Sequence, residues 1–254
     1  CFGSYLNAAG VICAKMSGAE LYFFEPNAVP GKGTSLLKIF ADKIFEVFPA
    51  AGKHRKKKTV LCKFPLVARK YGREEACAKL GFDSEKTLIL ILGGSQGSAF
   101  INDLMLRLLS KLCFAQIIHI TGSDDFERVN ALYNAHKGKH LVLPVSLNMP
   151  LLYSAADIAV SRAGAGTLAE LSFYKIPSLL IPYPLAGAHQ EKNAEFFSDC
   201  AAALMIKQRD AKDDNIFEAV ENMISGNFWK FSENLAKISV SDDGSDLAEK
   251  ISGE

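Results

Sequence analysis

The sequence predicts an α/β protein built on a parallel sheet with helices on both faces, and three observations carry that prediction. From Thr87 onward, short apolar runs alternate with amphipathic stretches of helical length. Two of the run-to-helix junctions are glycine-rich, at 93–97 and 164–166. At 254 residues, 49% apolar and 22% charged, the chain is globular in composition and long enough for one large domain or two ordinary ones.

In chain order, residues 1–64 offer a helix-like start (5–16), a strand (21–24), an amphipathic stretch (34–41) and a second strand (43–48). That is about half of a typical domain of 100–150 residues, so an incomplete N-terminal half with a Rossmann-like pattern is expected. The C-terminal domain, 65–238, contains the apolar runs Leu88–Leu92, Gln116–Ile120, His140–Leu143, 157–161, 178–181 and 203–206. Each is too short for a buried helix, and each reads as a strand. Between the first two, Ile101, Leu104, Met105, Leu108 and Leu112 mark one face of a helix over 98–112. Strands alternating with helices imply right-handed crossovers, hence a doubly wound, Rossmann-like domain. Residues 239–254 read as a linker (SVSDDGSD) and the start of a last helix at 247–251. No internal repeat occurs at solenoid periods.

Charge and cysteine usage narrow the function classes. Lys and Arg number 29 against 28 Asp and Glu, a net charge of +1, which argues against a nucleic-acid binder relying on overall basicity. Six scattered cysteines (Cys1, Cys13, Cys62, Cys77, Cys113, Cys200) without a CxxC pair point to a reducing compartment and mostly buried thiols. No apolar run approaches the ~18 residues of a membrane span, and no signal peptide opens the chain. The chain opens mid-pattern on Cys1, as a fragment would. The run KHRKKK (53–58) follows the apolar residues Leu36, Leu37, Ile39, Phe40, Ile44 and Phe45. It is either a solvated loop or part of a face resting on anionic lipid.

Three motifs carry chemistry. The first, LILILGGSQGS (88–98), is a buried strand, a glycine turn and a helix start. Gly93, Gly94 and Gly97 let the backbone approach a ligand closely, and the helix start favours an anion. The same turn also serves a fold that binds nothing. The dinucleotide fingerprint G-x-G-x-x-G is not met, the next strand ends Thr121-Gly122 without an acid, and no P-loop is present. The segment does match the hydrolase elbow G-x-S-x-G, with Ser95, Asp157 and His189 in hydrolase order. Asp157 opens its strand, however, whereas triad acids sit at the carboxyl end. The second motif, SRAGAGTLAEL (161–171), ends a strand and starts a helix near Thr167. Thr167-x-x-Glu170 reads as a capping box. The same geometry also offers N–H groups at 165–168 to a diphosphate, with Glu170 one turn in for ribose hydroxyls. Both turns fall at strand carboxyl ends, where open α/β sheets bind ligands. The third, PYPLAGAHQEKN (182–193), presents His189 and Gln190 to sugar hydroxyls or simply to solvent. No D-x-D or HExxH occurs and the histidines do not cluster, so no metal site is read.

Together GGSQG, RAGAGTLAE and the HQ loop resemble the nucleotide-sugar glycosyltransferases of the GT-B fold and, more narrowly, the MurG family, the UDP-N-acetylglucosamine transferases of lipid II synthesis. CFGSY (1–5) is similar to a family Gly-rich loop, FEPNAVPG (24–31) to its HEQNxxxG segment and YSAAD (153–157) to the approach to its donor site. The resemblance implies an inverting transfer of N-acetylglucosamine from UDP-GlcNAc to the muramoyl 4-hydroxyl of a lipid-linked pentapeptide, without a cofactor, in peptidoglycan synthesis. It implies a cytoplasmic enzyme, peripheral on the inner face of the cell membrane. It places donor contacts on Ser95, on Ala165, Gly166, Thr167, Leu168, Ala169 and Glu170, on Gln190, on Asn27, and on a uracil-contacting backbone near Ser146. Glu25 is the in-chain candidate for the base. The family's first Gly-rich loop would precede Cys1. Its NPxR arginine aligns with Val67, with Arg69 out of register, and the acid before its HQ pair is Ala188 here. A non-catalytic UDP-sugar-binding module and a serine hydrolase using Ser95 are the alternatives.

Overall fold

The computed structural model describes residues 8–49, 58–66, 69–184, 189–226 and 228–253. The first part of the chain runs α1 (Ala8–Met16), β1 (Tyr22–Glu25), α2 (Lys32–Leu37), β2 (Lys43–Glu46) and β3 (Thr59–Leu61). These strands form a parallel sheet in the order β1-β2-β3. The amphipathic stretch 34–41 thus divides into α2 and a 3-10 turn, Lys38–Phe40. Then come β4 (Phe64–Pro65), α3 (Arg73–Leu80), β5 (Leu88–Leu92), α4 (Ala99–Leu108), β6 (Gln116–Ile120), α5 (Phe126–Asn134), β7 (His140–Leu143) and α6 (Met149–Ala155). The chain continues with β8 (Ile158–Ser161), α7 (Ala165–Tyr174), β9 (Ser178–Leu180), α8 (His189–Asp199) and β10 (Leu204–Met205). It ends with α9 (Asp213–Ser225), α10 (Phe228–Ile238), β11 (Ser241–Asp242) and α11 (Ser245–Ser252).

Six of these strands make one all-parallel sheet, β7-β6-β5-β8-β9-β10. Counted within the sheet, the order is 3-2-1-4-5-6, the doubly wound arrangement whose direction reverses between β5 and β8. Strand β5 shows why both faces are covered. Leu88, Leu90 and Leu92 enter one core cluster while Ile89 and Ile91 enter the other, and all five are buried. The predicted helix face (Ile101, Leu104, Met105, Leu108, Leu112) is wholly buried against the second cluster, although α4 itself stops at Leu108. The first cluster also takes Phe24, Phe45, Val47, Phe48 and Cys62 from the N-terminal part, so one apolar core is continuous between the two parts.

Several boundaries differ from the sequence reading for physical reasons. Asp157 stays outside β8 because its carboxylate accepts the Leu88 N–H at 2.7 Å and pairs with Arg73. The tail is more than a linker: Phe64 N donates to Val240 O and Leu66 N to Asp242 O, both at 2.8 Å, which makes β11 a parallel partner of β4. The thiols are not mostly buried, since Cys13 and Cys113 are exposed; among the described residues all cysteines are free.

Candidate functional site

The Gly93–Gly97 loop leaves β5 at the point where the strand order reverses. Gly97 has φ +78°, and a Cβ there would lie 2.1 Å from Thr121 O, so only glycine lets the loop pack on the end of β6. That end is held in turn: Asn102 Nδ2 donates to Thr121 O at 3.1 Å and to Asp125 at 2.8 Å, while Asn102 Oδ1 meets His119 Nε2 at 3.0 Å. Burial pushes the His119 pKa down to about 3, so the ring is neutral and purely structural near neutral pH. Helix α4 then starts on Ser98, whose Oγ accepts the Ile101 N–H at 3.4 Å.

The second corner differs from its sequence reading. Helix α7 begins at Ala165 with Gly164 as N-cap and no side-chain cap. Thr167 is therefore the third helical residue and Glu170 lies in the second turn, so the pair forms no capping box. The expected N–H run shortens as well. Leu168 N donates to Gly164 O at 2.9 Å, which leaves the amides of Ala165, Gly166 and Thr167 without an intrahelical acceptor. Leu168 and Ala169 are buried in the domain interior, so their side chains do not face ligand. Of residues 165–170, three amides and the Glu170 carboxylate are what the surface offers.

Two cavities flank the glycine loop. One, of about 330 Å³, is lined by Gly94, Ser95, Ser146, Gly166, Thr167 and Glu170 among others, which brings six candidate residues of the sequence together. Glu170 Oε2 accepts from the buried Tyr153 hydroxyl at 2.8 Å, and the Tyr153 ring stacks on Tyr174 with centroids 5.1 Å apart. Burial raises the Glu170 pKa above the ordinary glutamate value, an effect the Tyr153 bond partly offsets. The other cavity, of about 480 Å³, lies between Gly93–Phe100, Arg162, Tyr183, Gln190 and Gln208. Gln190 Oε1 accepts from Ala163 N (3.2 Å) and Tyr183 N (3.0 Å), so only the NH2 end of this amide is left to donate. The buried Arg162 donates to Ile181 O (3.0 Å), Pro182 O (3.4 Å) and Ser98 Oγ (2.8 Å). These partners are all neutral; burial lowers its pKa to about 10, and the guanidinium keeps its charge beside the loop. Gln208 Oε1 is buried in the same cavity with no partner among the described residues. Arg162 and Tyr153 lie within the motifs, but their roles depend on contacts between separate elements that spacing does not show.

The remaining expectations meet different fates. Glu25 is 2% exposed and its Oε1 accepts from Asn27 N (3.1 Å) and Asn27 Nδ2 (3.0 Å), an arrangement that braces a turn. Asn27 Oδ1 is taken by Asn193 Nδ2 at 3.1 Å. The hydrolase constellation is not assembled. Asp157 sits beside Leu88 at the opening of β5 and Ser95 follows its close, so the strand's length of roughly 16 Å separates them. His189 is likewise committed, with Nδ1 at 2.8 Å from Val29 O. Val67 and Ala188 lie outside the described residues, as does the segment CFGSY. Among the described residues no three His, Cys, Asp or Glu side chains gather as metal ligands.

Comparison with known proteins matches this frame to a lineage. Residues 88–246 match the glycosyltransferase family 28 C-terminal domain. The UDP-N-acetylglucosamine--N-acetylmuramyl-(pentapeptide) pyrophosphoryl-undecaprenol N-acetylglucosamine transferase of Aquifex aeolicus is 34% identical over 241 residues, 93% of this chain and 69% of that protein. The chain belongs to the MurG family. The Rippkaea orientalis member is 33% identical over 99% of this chain and 72% of its own length. The crystal structure of Acinetobacter baumannii MurG superposes with a TM-score of 0.79 at 25% identity, covering all of this chain and 72% of that one. The chain is thus a glycosyltransferase with GT-B architecture, and its glycine corners occupy the C-terminal domain of the MurG family.

Proposed function

We propose that this chain carries the family reaction: transfer of N-acetylglucosamine from UDP-GlcNAc to the muramoyl 4-hydroxyl of a lipid-linked diphosphate. The observation that carries the proposal is the uncapped start of α7, where Gly166, Thr167 and Glu170 line one cavity at the sheet's switch point. Uracil sits against the backbone near Ser146, the ribose hydroxyls bond Glu170, and the diphosphate meets Ala165, Gly166 and Thr167. Ser95 stands on the ridge between the cavities, and the sugar extends toward the NH2 end of Gln190. The acceptor oxygen attacks C1 while the C1–O bond to UDP breaks, inverting the centre and passing the hydroxyl proton to a base. Charge gathers on the departing diphosphate, where fixed amides and the nearby Arg162 guanidinium stabilise it more than they stabilise the ground state. Glu25, buried and occupied, is assigned the bracing of Asn27 rather than the base role.

Membrane contact falls on the N-terminal part. Leu36, Ile39 and Phe40 are 62%, 68% and 44% exposed around the 3-10 turn, an apolar cluster suited to the headgroup boundary at the inner face of the cell membrane. Leu37, Ile44 and Phe45 are buried and take no part, and most of the KHRKKK run lies outside the described residues. No helix among the described residues is long and apolar enough to cross a membrane.

Calorimetric titration with UDP-GlcNAc beside a radiolabel transfer assay on a lipid-linked acceptor tests the reading. Saturable binding with transfer is the expected result. Binding without transfer leaves a UDP-sugar-binding module, and labelling of Ser95 by a fluorophosphonate probe would overturn the transferase assignment.

A further inference from the structure

Among the contacts by which helix α8 joins the two parts of the chain is a buried amide. Asn193 is fully buried. Its Oδ1 accepts the Ala28 N–H at 2.8 Å, and its Nδ2 donates both to Asn27 Oδ1 at 3.1 Å and to Ala163 O at 3.2 Å. The last contact is the informative one. Ala163 precedes Gly164, the N-cap of α7, and its peptide groups are gripped on both sides by α8: Gln190 Oε1 holds its N–H and Asn193 Nδ2 its carbonyl. Gln190 and Asn193 are three residues apart on α8, on neighbouring positions of one face. Four residues before Asn193, His189 adds a bond to Val29 O but is not bonded to Ala163. The turn 25–29 and the amide cradle of α7 therefore share one set of hydrogen bonds, and removing Asn193 leaves one donor and two acceptors unpaired in the interior.

We propose that Asn193 is a positioning residue that couples occupancy of the α7 cradle to the placement of the N-terminal turn 25–29. The coupling runs through Ala163, whose carbonyl moves with the α7 start when an anion draws on the amides of Ala165, Gly166 and Thr167. It rests on the reading that these amides hold the diphosphate of the donor.

Hydrogen exchange with UDP as the probe tests it. UDP lacks the sugar, so it fills the nucleoside cavity and the cradle without reaching Asn27. In the unmodified chain, saturating UDP is expected to slow exchange in peptides covering 163–170. It is also expected to slow exchange in those covering 22–31, by about fivefold or more, the low end of coupling between sites. In Asn193→Ala, or in Asn193→Ser if the alanine variant does not fold, protection of 163–170 persists while that of 22–31 disappears. Protection of 163–170 without protection of 22–31 in the unmodified chain overturns the coupling and leaves the donor site standing. Retention of both in a folded Asn193 variant overturns the role of Asn193. Absence of protection at 163–170 overturns the donor reading and the coupling with it.

Discussion

Helices α4 and α7 both start from strands that end on the same edge of the sheet, yet their first turns are finished differently. The α4 start is closed by the protein itself: Ser98 caps Ile101, Gly97 is pressed onto Thr121, and Arg162 reaches across to Ser98. The α7 start has glycine at its N-cap and no side-chain cap, and its Gly166 and Thr167 line a cavity. Unfinished backbone donors at a helix start favour an anion. The difference teaches that the two glycine corners are not equivalent: α4 supplies a rigid wall, and α7 supplies open backbone donors of the kind an anion can complete.

The sharpest way to break the comparison is to spoil the wall. Gly97→Ala should destabilise the fold by about 2–6 kcal/mol, combining left-handed strain with overpacking at about 1–3 kcal/mol each. Urea unfolding reads the loss, and a stability within about 0.5 kcal/mol of the unmodified chain would show that the loop is not pinned. On the open side, Glu170→Ala should lower transfer roughly 10²–10³-fold, as for one preorganised group, with melting little changed. A loss below about threefold would leave Glu170 as no more than a partner for Tyr153. Finishing the α7 start artificially is the next test. Gly164→Ser adds a cap where a Cβ comes no closer than 3.9 Å to Thr167 Oγ1. It should raise stability by a few tenths of a kcal/mol while weakening UDP binding about tenfold, by displacing one charge-assisted bond. Tighter UDP binding in that variant would remove the argument from uncapped amides.

The smallest effect is on pH. Burial lifts the Glu170 pKa, so the ligand-free site holds its proton at pH values where an ordinary glutamate has lost it. With ribose hydroxyls on the carboxylate, as proposed, nucleotide affinity should fall on acidification, beginning above pH 4.5, with a slope of at most tenfold per unit. Titrations across pH 4.5–7 should show this slope and lose it in Glu170→Gln. The free protein has the opposite linkage: a raised acid pKa stabilises the fold at low pH, and that gain is lost as pH rises through it.

How much of this was legible depended on the range of the interaction. The bounds of β5, β6 and β7 are legible from their short, largely apolar runs; β5 and β6 bury every position, whereas β7 at the sheet edge buries only Val142. The α7 start was placed two residues late because Thr167-x-x-Glu170 mimics a cap while Gly164, in extended backbone, carries no side-chain signal. Asn27 was singled out, but its partner Asn193 lies 166 positions away, beyond any periodicity. The pairing of β4 with β11 was invisible for the same reason, two residues being too few to show alternation. The burial of Glu25, the in-chain candidate for the base, is likewise invisible to a motif, which gives residue type and not exposure.

That last strand pair has a mechanical consequence. The chain leaves the N-terminal sheet at 62–66 and passes alongside again at 240–242, and the two passages are laced by backbone hydrogen bonds. Two parallel leaves fastened along their edge fold readily about one axis and resist torsion. Any swing of one lobe over the other is thereby steered along a single arc.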